Sequence, residues 1–187
     1  MQIEKVESDY YYHIYNRGNN GGDIFFDEDN YNYFLDLVKK YLLPVSDIYG
    51  YCLLKNHFHI LLKIHHNCEN PSQYFSNLFN AYTKAMNKKY GRTGSLLEKP
   101  FKRIKIKDEN YLKTLILYIH LNPEHHQIYN DFGTYKYSSY ESIISQQKTN
   151  IKRDEVLLLF DGVKNFIETH LDRKLFINER NQQLFLE

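Results

Sequence analysis

An α+β fold follows from three features of the chain. Four short stretches alternate between apolar and polar or aromatic positions with period two, as strands with one face in a core do. Three longer stretches repeat apolar residues at the 3.6 period of a helix. The order is strand, helix, strand, strand, helix, strand, then a further helix. It predicts a ferredoxin-like, split βαβ arrangement, with a four-stranded antiparallel sheet, two helices on one face and the other face open.

Residues 10–16 are rich in Tyr, carry Ile14 and favour a strand. They end at Arg17-Gly18-Asn19-Asn20-Gly21-Gly22, which can only be a loop. Residues 27–43 read as a helix, with acids in the first turn, apolar Tyr31, Phe34, Leu35, Val38 and Leu42, and Pro44 as its close. Residues 45–54 and 57–64 form two strands joined by a tight turn at Lys55-Asn56. Asn70 as a cap and Pro71 at the first helical position start a second helix, whose Phe75, Leu78, Phe79, Tyr82 and Met86 keep helical spacing until Gly91. The fourth strand, 100–107, alternates Arg103, Lys105 and Lys107 with Ile104 and Ile106. Its isoleucines are expected to meet the two helices and its cations to share the open face with His57 and His59. A third helix, 108–122, presents Leu112, Leu115, Ile116 and Ile119, with Pro123 as its stop. Residues 135–140 read as an aromatic, polar loop. Beyond it, 153–160 and 163–170 read as short helices and 173–187 as mobile or loosely docked. The division expected is a main domain at 1–140 and a C-terminal helical extension at 141–187.

At 187 residues and 22.6 kDa the chain can bury a substantial core. Cys52 and Cys68 form neither a disulfide framework nor a metal-binding pair, and the start, Met1-Gln2-Ile3-Glu4-Lys5, carries no apolar signal region. A cytoplasmic protein is expected. No apolar run reaches the roughly 20 residues that cross a bilayer, so a membrane role is not expected. The net charge of +1 conceals a localised cation excess, because residues 84–107 carry nine Lys or Arg against the single acid Glu98. Such a patch suits a phosphate backbone.

The chemistry concentrates in Asn56-His57-Phe58-His59. On a strand His57 and His59 project from one face while Phe58, Ile60 and Leu62 anchor the other, so two imidazoles sit together on a rigid platform. A bare His-x-His is also compatible with two partly buried, satisfied side chains. Tyr118 and Asn122 are surface neighbours on the third helix, one turn apart. His120 points away from Tyr118, and Tyr111 lies two turns earlier, suited to packing or stacking. His13, His65, His66, His125, His126 and His170 lack a comparable setting and read as surface residues.

Together Asn56-His57-Phe58-His59, the basic strand at 99–107 and Tyr118-Ile119-His120-Leu121-Asn122-Pro123 resemble the single-tyrosine HUH transposases, in particular the REP-associated tyrosine transposases and IS200-like transposases. The resemblance spans about residues 10–140 and includes Arg17-Gly18-Asn19, Gly94-Ser95-Leu96 and Ser138-Ser139-Tyr140. It implies a ferredoxin-like sheet with the tyrosine-bearing helix beside the histidine strand. It also implies that His57 and His59 are metal ligands, that Tyr118 is the nucleophile, and that Asn122 is a third ligand where insertion-sequence relatives commonly carry Gln. The implied activity is metal-dependent cleavage and transfer of single-stranded DNA flanked by a hairpin, through a 5′-phosphotyrosine. Two imidazoles, an amide oxygen and phosphate or water suit Mg²⁺ or Mn²⁺. Arg17, Asn19, Lys99, Lys102, Arg103, Lys105 and Lys107 are the expected DNA contacts. A monomer is favoured over a homodimer. The alternative is a non-catalytic single-stranded nucleic-acid-binding domain that stacks bases on its tyrosines, a reading that does not require His-x-His and Tyr-x-x-x-Asn to occur together. A cupin-type metal enzyme fits the long helices poorly.

Overall fold

The computed structural model describes the backbone of residues 5–184 and the side chains of residues 5–175. Residues 1–4 of the start expected to lack a signal, and residues 185–187 of the tail expected to be mobile, lie outside the described residues. The chain runs β1 (Tyr11–Arg17), α1 (Glu28–Tyr41), β2 (Ser46–Leu54), β3 (His57–Ile64), α2 (Pro71–Lys89), β4 (Lys102–Ile106) and α3 (Glu109–His125). Three helices follow: α4 (Tyr140–Ile144), α5 (Arg153–Leu159) and α6 (Val163–Leu184). The sheet order is β2-β3-β1-β4, antiparallel at each pairing, so the ferredoxin-like topology is present.

One face of the sheet sends Tyr12, Ile14, Leu53, Phe58, Ile60 and Leu62 into a core with Phe34 and Val38 of α1 and Phe75, Leu78 and Tyr82 of α2. The other face is not open. Tyr49, Leu54, Leu61 and Ile106 pack beneath Leu112, Leu115, Ile116 and Ile119 of α3, and Ile143, Val156 and Phe166 of the last three helices join the same cluster. The physical reason lies in β2 and β3: Cys52-Leu53-Leu54 and Ile60-Leu61-Leu62 are apolar at consecutive positions, which requires cover on both faces. Each fully buried Leu or Phe contributes about 1.5–3 kcal/mol, so two such layers hold β3 rigidly between them.

The second core inverts the expected orientation of β4. Ile104 and Ile106 pair with His13 and Tyr11 and meet the α3 layer, whereas Arg103 and Lys105 pair with Ile14 and Tyr12 on the α1/α2 face. There Arg103 lies over Phe101 at 3.8 Å, and Lys105 lies over Tyr10 at 3.2 Å and pairs with Glu7 at 2.6 Å. Four local features also differ. Asn70 precedes α2 in a left-handed conformation (φ 48°) and makes no side-chain cap. Pro123 lies inside α3, which continues to His125 because Pro123 stands so close to its end that few helical hydrogen bonds are lost. A 3-10 turn at Phe132–Thr134 precedes the segment read as a loop, whose last residue, Tyr140, opens α4, and α6 continues as helix to Leu184, into the stretch expected to be loose.

Candidate active site

Register assembles the site. Antiparallel pairing sets His57 opposite Arg17 and His59 opposite Tyr15, so these four side chains leave the sheet on the α3 side. Asp108 caps α3, its Oδ1 accepting from Tyr111 N at 2.8 Å, and the buried stripe of α3 fixes the rotation of the helix. Tyr118 is thereby left on the flank, 42% exposed, with its ring centroid 5.5 Å from that of His59 and edge-on to it. A cavity of about 490 Å³ lies between, lined by Tyr15, Arg17, His57, His59, Lys102, Tyr118 and His126 among others.

The imidazoles are held neutral. Burial pushes His57 down to about 4, helped by the nearby His126 and opposed by the Asn122 amide. Burial also holds His59 well below the usual histidine range, and His13 and His57 beside it act in the same direction. His13, expected at the surface, is only 5% exposed, and its Nε2 lies 2.8 Å from His59 Nδ1. It went unrecognised because a single His among tyrosines carries no local pattern, and its partner is 46 residues away.

Two buried polar atoms here have no partner among the described residues: His59 Nε2 and Asn122 Oδ1. The Asn122 amide donates through Nδ2 to Tyr118 O at 3.0 Å, which turns Oδ1 away from the helix and leaves it unused beside His57. His57 Nδ1 lies 2.7 Å from Asn56 Oδ1, an acceptor, so its Nε2 keeps the lone pair. Two neutral imidazole nitrogens and an amide oxygen are a donor set that fits a divalent cation. No carboxylate completes it: the described residues contain no group of three or more His, Cys, Asp or Glu able to hold a metal.

The expected DNA contacts divide. Arg17 and Lys102 line the cavity, and both pair with Glu98, Lys102 at 3.3 Å. Glu98 is placed by its backbone, whose N–H donates to Arg17 O at 3.0 Å and whose carbonyl accepts from Asn16 Nδ2 at 3.0 Å. Asn19 donates its N–H to Leu96 O at 2.9 Å, docking the Arg17–Gly22 loop against 96–98. Gly18 is needed there, since a Cβ would lie 1.8 Å from Gly22 O. Lys99 and Lys107 are exposed outside the cavity, and Arg103 and Lys105 are on the far face. Tyr111 is 39% exposed on α3, while His120 is buried and faces away from the site towards His170 and Ser139.

No family model and no curated protein sequence matches the chain. Among solved structures it is similar to a REP-associated tyrosine transposase bound to a REP hairpin, at TM-score 0.64 and 11% identity, covering 78% of this chain and 85% of that one. A bacterial tRNA(His) guanylyltransferase-like protein in complex with ATP aligns less well, at TM-score 0.45 and 14% identity over 67% of this chain and 61% of that one. No described helix is long and apolar enough to cross a membrane. The fold of this chain is that of the REP-associated tyrosine transposase, in agreement with the order of its histidine and tyrosine motifs.

Proposed function

We propose that the chain is a metal-dependent endonuclease and strand transferase for single-stranded DNA next to a hairpin, with Tyr118 as nucleophile. The observation that carries this reading is the exposed Tyr118 ring, 5.5 Å from a His59 ring whose buried Nε2 has no partner among the described residues. Tyr118 Oη attacks the scissile phosphorus and the P–O3′ bond breaks, the phenol proton passing to solvent and the departing 3′ oxygen taking one from solvent. The products are a 5′-phosphotyrosine and a free 3′-hydroxyl. Attack by a 3′-hydroxyl reverses the step without ATP, because the link conserves the phosphodiester.

His57, His59 and Asn122 would hold Mg²⁺ or Mn²⁺, which when bound supplies Lewis-acid polarisation of the phosphate. Arg17 and Lys102 would receive the strand's phosphates in exchange for Glu98. The proximity of Tyr118 and His59 within one chain supports action in cis by a monomer. Catalysis is assigned to residues 1–140, and within the extension at 141–187 Ile143, Val156 and Phe166 buttress α3. The hairpin preference draws on the DNA named for the similar transposase.

The test is incubation of the protein and Mn²⁺ with a labelled hairpin carrying a single-stranded tail, a full duplex of the same length and an RNA copy, read on denaturing gels. A covalent band on the tailed hairpin alone is the expected result. Tight RNA binding with no adduct on any DNA would favour a non-catalytic binding domain.

A further inference from the structure

We infer that His13 is a positioning residue for this centre, fixing the tautomer that makes His59 a ligand. The inference rests on the metal-binding reading of His59. Both residues are 5% exposed, their nearly parallel rings (23° between planes) meet edge to edge with centroids 5.0 Å apart, and His13 Nε2 and His59 Nδ1 are 2.8 Å apart. Between two neutral imidazoles that contact holds a single hydrogen, so it exists in two arrangements with the same number of protons. If His13 Nε2–H donates, His59 carries its own hydrogen on Nε2, where the described residues offer no acceptor and no metal can bind. If His59 Nδ1–H donates, Nε2 keeps its lone pair.

A second ligand is built the same way. His57 Nδ1 faces Asn56 Oδ1 at 2.7 Å, an oxygen that can only accept. Each of the two histidines therefore has its Nδ1 engaged from within the protein, which leaves Nε2 to the cavity, and His13 is the partner that completes the pattern. Solvent substitutes poorly for it, because His13 is buried and stacks on Tyr15 at 4.7 Å. Its ring contacts His59 and approaches Tyr118 edge-on at 6.4 Å, so it acts through His59.

The test compares wild type, His13→Ala and His13→Gln by Mn²⁺ titration followed by electron paramagnetic resonance, and by ¹⁵N NMR of the His59 ring without metal and in saturating Mg²⁺. His13→Ala should weaken Mn²⁺ binding by about 10–100-fold and release the His59 tautomer. His13→Gln, whose amide oxygen accepts from Nδ1–H, should restore most of the affinity. Equal Mn²⁺ affinity in wild type and His13→Ala, with His59 in one unchanged tautomer, overturns the inference and leaves the metal reading intact. A wild-type His59 that keeps hydrogen on Nε2 in saturating Mg²⁺ overturns the inference even if both variants misfold. No Mn²⁺ bound by wild type overturns the metal reading itself, and with it the inference.

Discussion

Two buried imidazole pairs lie on different sides of α3: His13 with His59 at 2.8 Å, and His120 with His170 at 2.9 Å. In the second pair every ring nitrogen is used. His120 Nε2 meets Ser139 Oγ at 2.9 Å and His170 Nδ1 donates to Phe166 O at 2.7 Å, while Ser139 Oγ in turn accepts from Tyr51 N at 2.8 Å. That chain ties α6 and α3 to β2, and both of its histidines are fully buried. The first pair leaves His59 Nε2 without a partner beside an exposed tyrosine. Burial neutralises both pairs, so what distinguishes them is the unused atom of His59 and the space in front of it.

The largest effect that sharpens this contrast is expected from Tyr118→Phe, which removes one hydroxyl from the half-exposed flank of α3. Adduct formation should fall by at least about 10³-fold, with unfolding by urea unchanged. A persisting covalent band would transfer the role to another residue, Tyr111 first. Next is His59→Ala, which should lower cleavage by about a hundredfold or more, an effect that EDTA should reproduce on wild type.

The structural pair should respond in the opposite sense. His120→Leu leaves Ser139 and His170 short of a partner and should cost about 1–3 kcal/mol of stability, read by urea denaturation, with adduct yield retained below the new midpoint. If activity disappears at unchanged stability, the two pairs are not different in kind. A subtler readout uses acid. Burial holds His170 at about 4, with His120 and Tyr140 the titratable groups packed on it, whereas an unfolded histidine titrates near 6.5. The unfolded chain therefore binds more protons between those values, so stability is full above pH 6.5 and falls as pH drops towards 4, by at most about 1.4 kcal/mol per pH unit from this group. His170→Gln should flatten that limb relative to wild type, and parallel curves would refute the assignment.

The smallest effect separates the two faces of the sheet. Neutralising Arg17 and Lys102 should reduce the salt dependence of single-strand binding by about 0.7 in log-log slope per lost phosphate contact. Neutralising Arg103 and Lys105 tests whether the strand also reaches the α1/α2 face. An equal change would mean that it wraps the sheet edge.

Local signals carried much of this. Period-two and period-3.6 patterns placed the four strands and the first three helices, and hairpin geometry and helical spacing, being short-range, paired His57 with His59 and Tyr118 with Asn122, whereas the meeting of the two pairs was implied only by the family resemblance. What failed depended on long-range packing. The lysines and isoleucines of β4 alternate correctly, but which set faces α1 and α2 depends on pairing with β1, and the second core under α3 claims Ile104 and Ile106. The consecutive apolar residues of β2 and β3 were the signal that both faces are covered. His13 had no such signal, since its meaning comes only from the β1–β3 register.

The proposed chemistry depends on a cation held by His57, His59 and Asn122 beside Tyr118. Crystals grown with Mn²⁺ and measured at a wavelength where manganese scatters anomalously test it most directly. The account predicts one strong anomalous peak within about 2.5 Å of His59 Nε2, with His57 Nε2 and Asn122 Oδ1 as further ligands. A peak elsewhere, or a well-ordered cavity with none at saturating Mn²⁺, would contradict it.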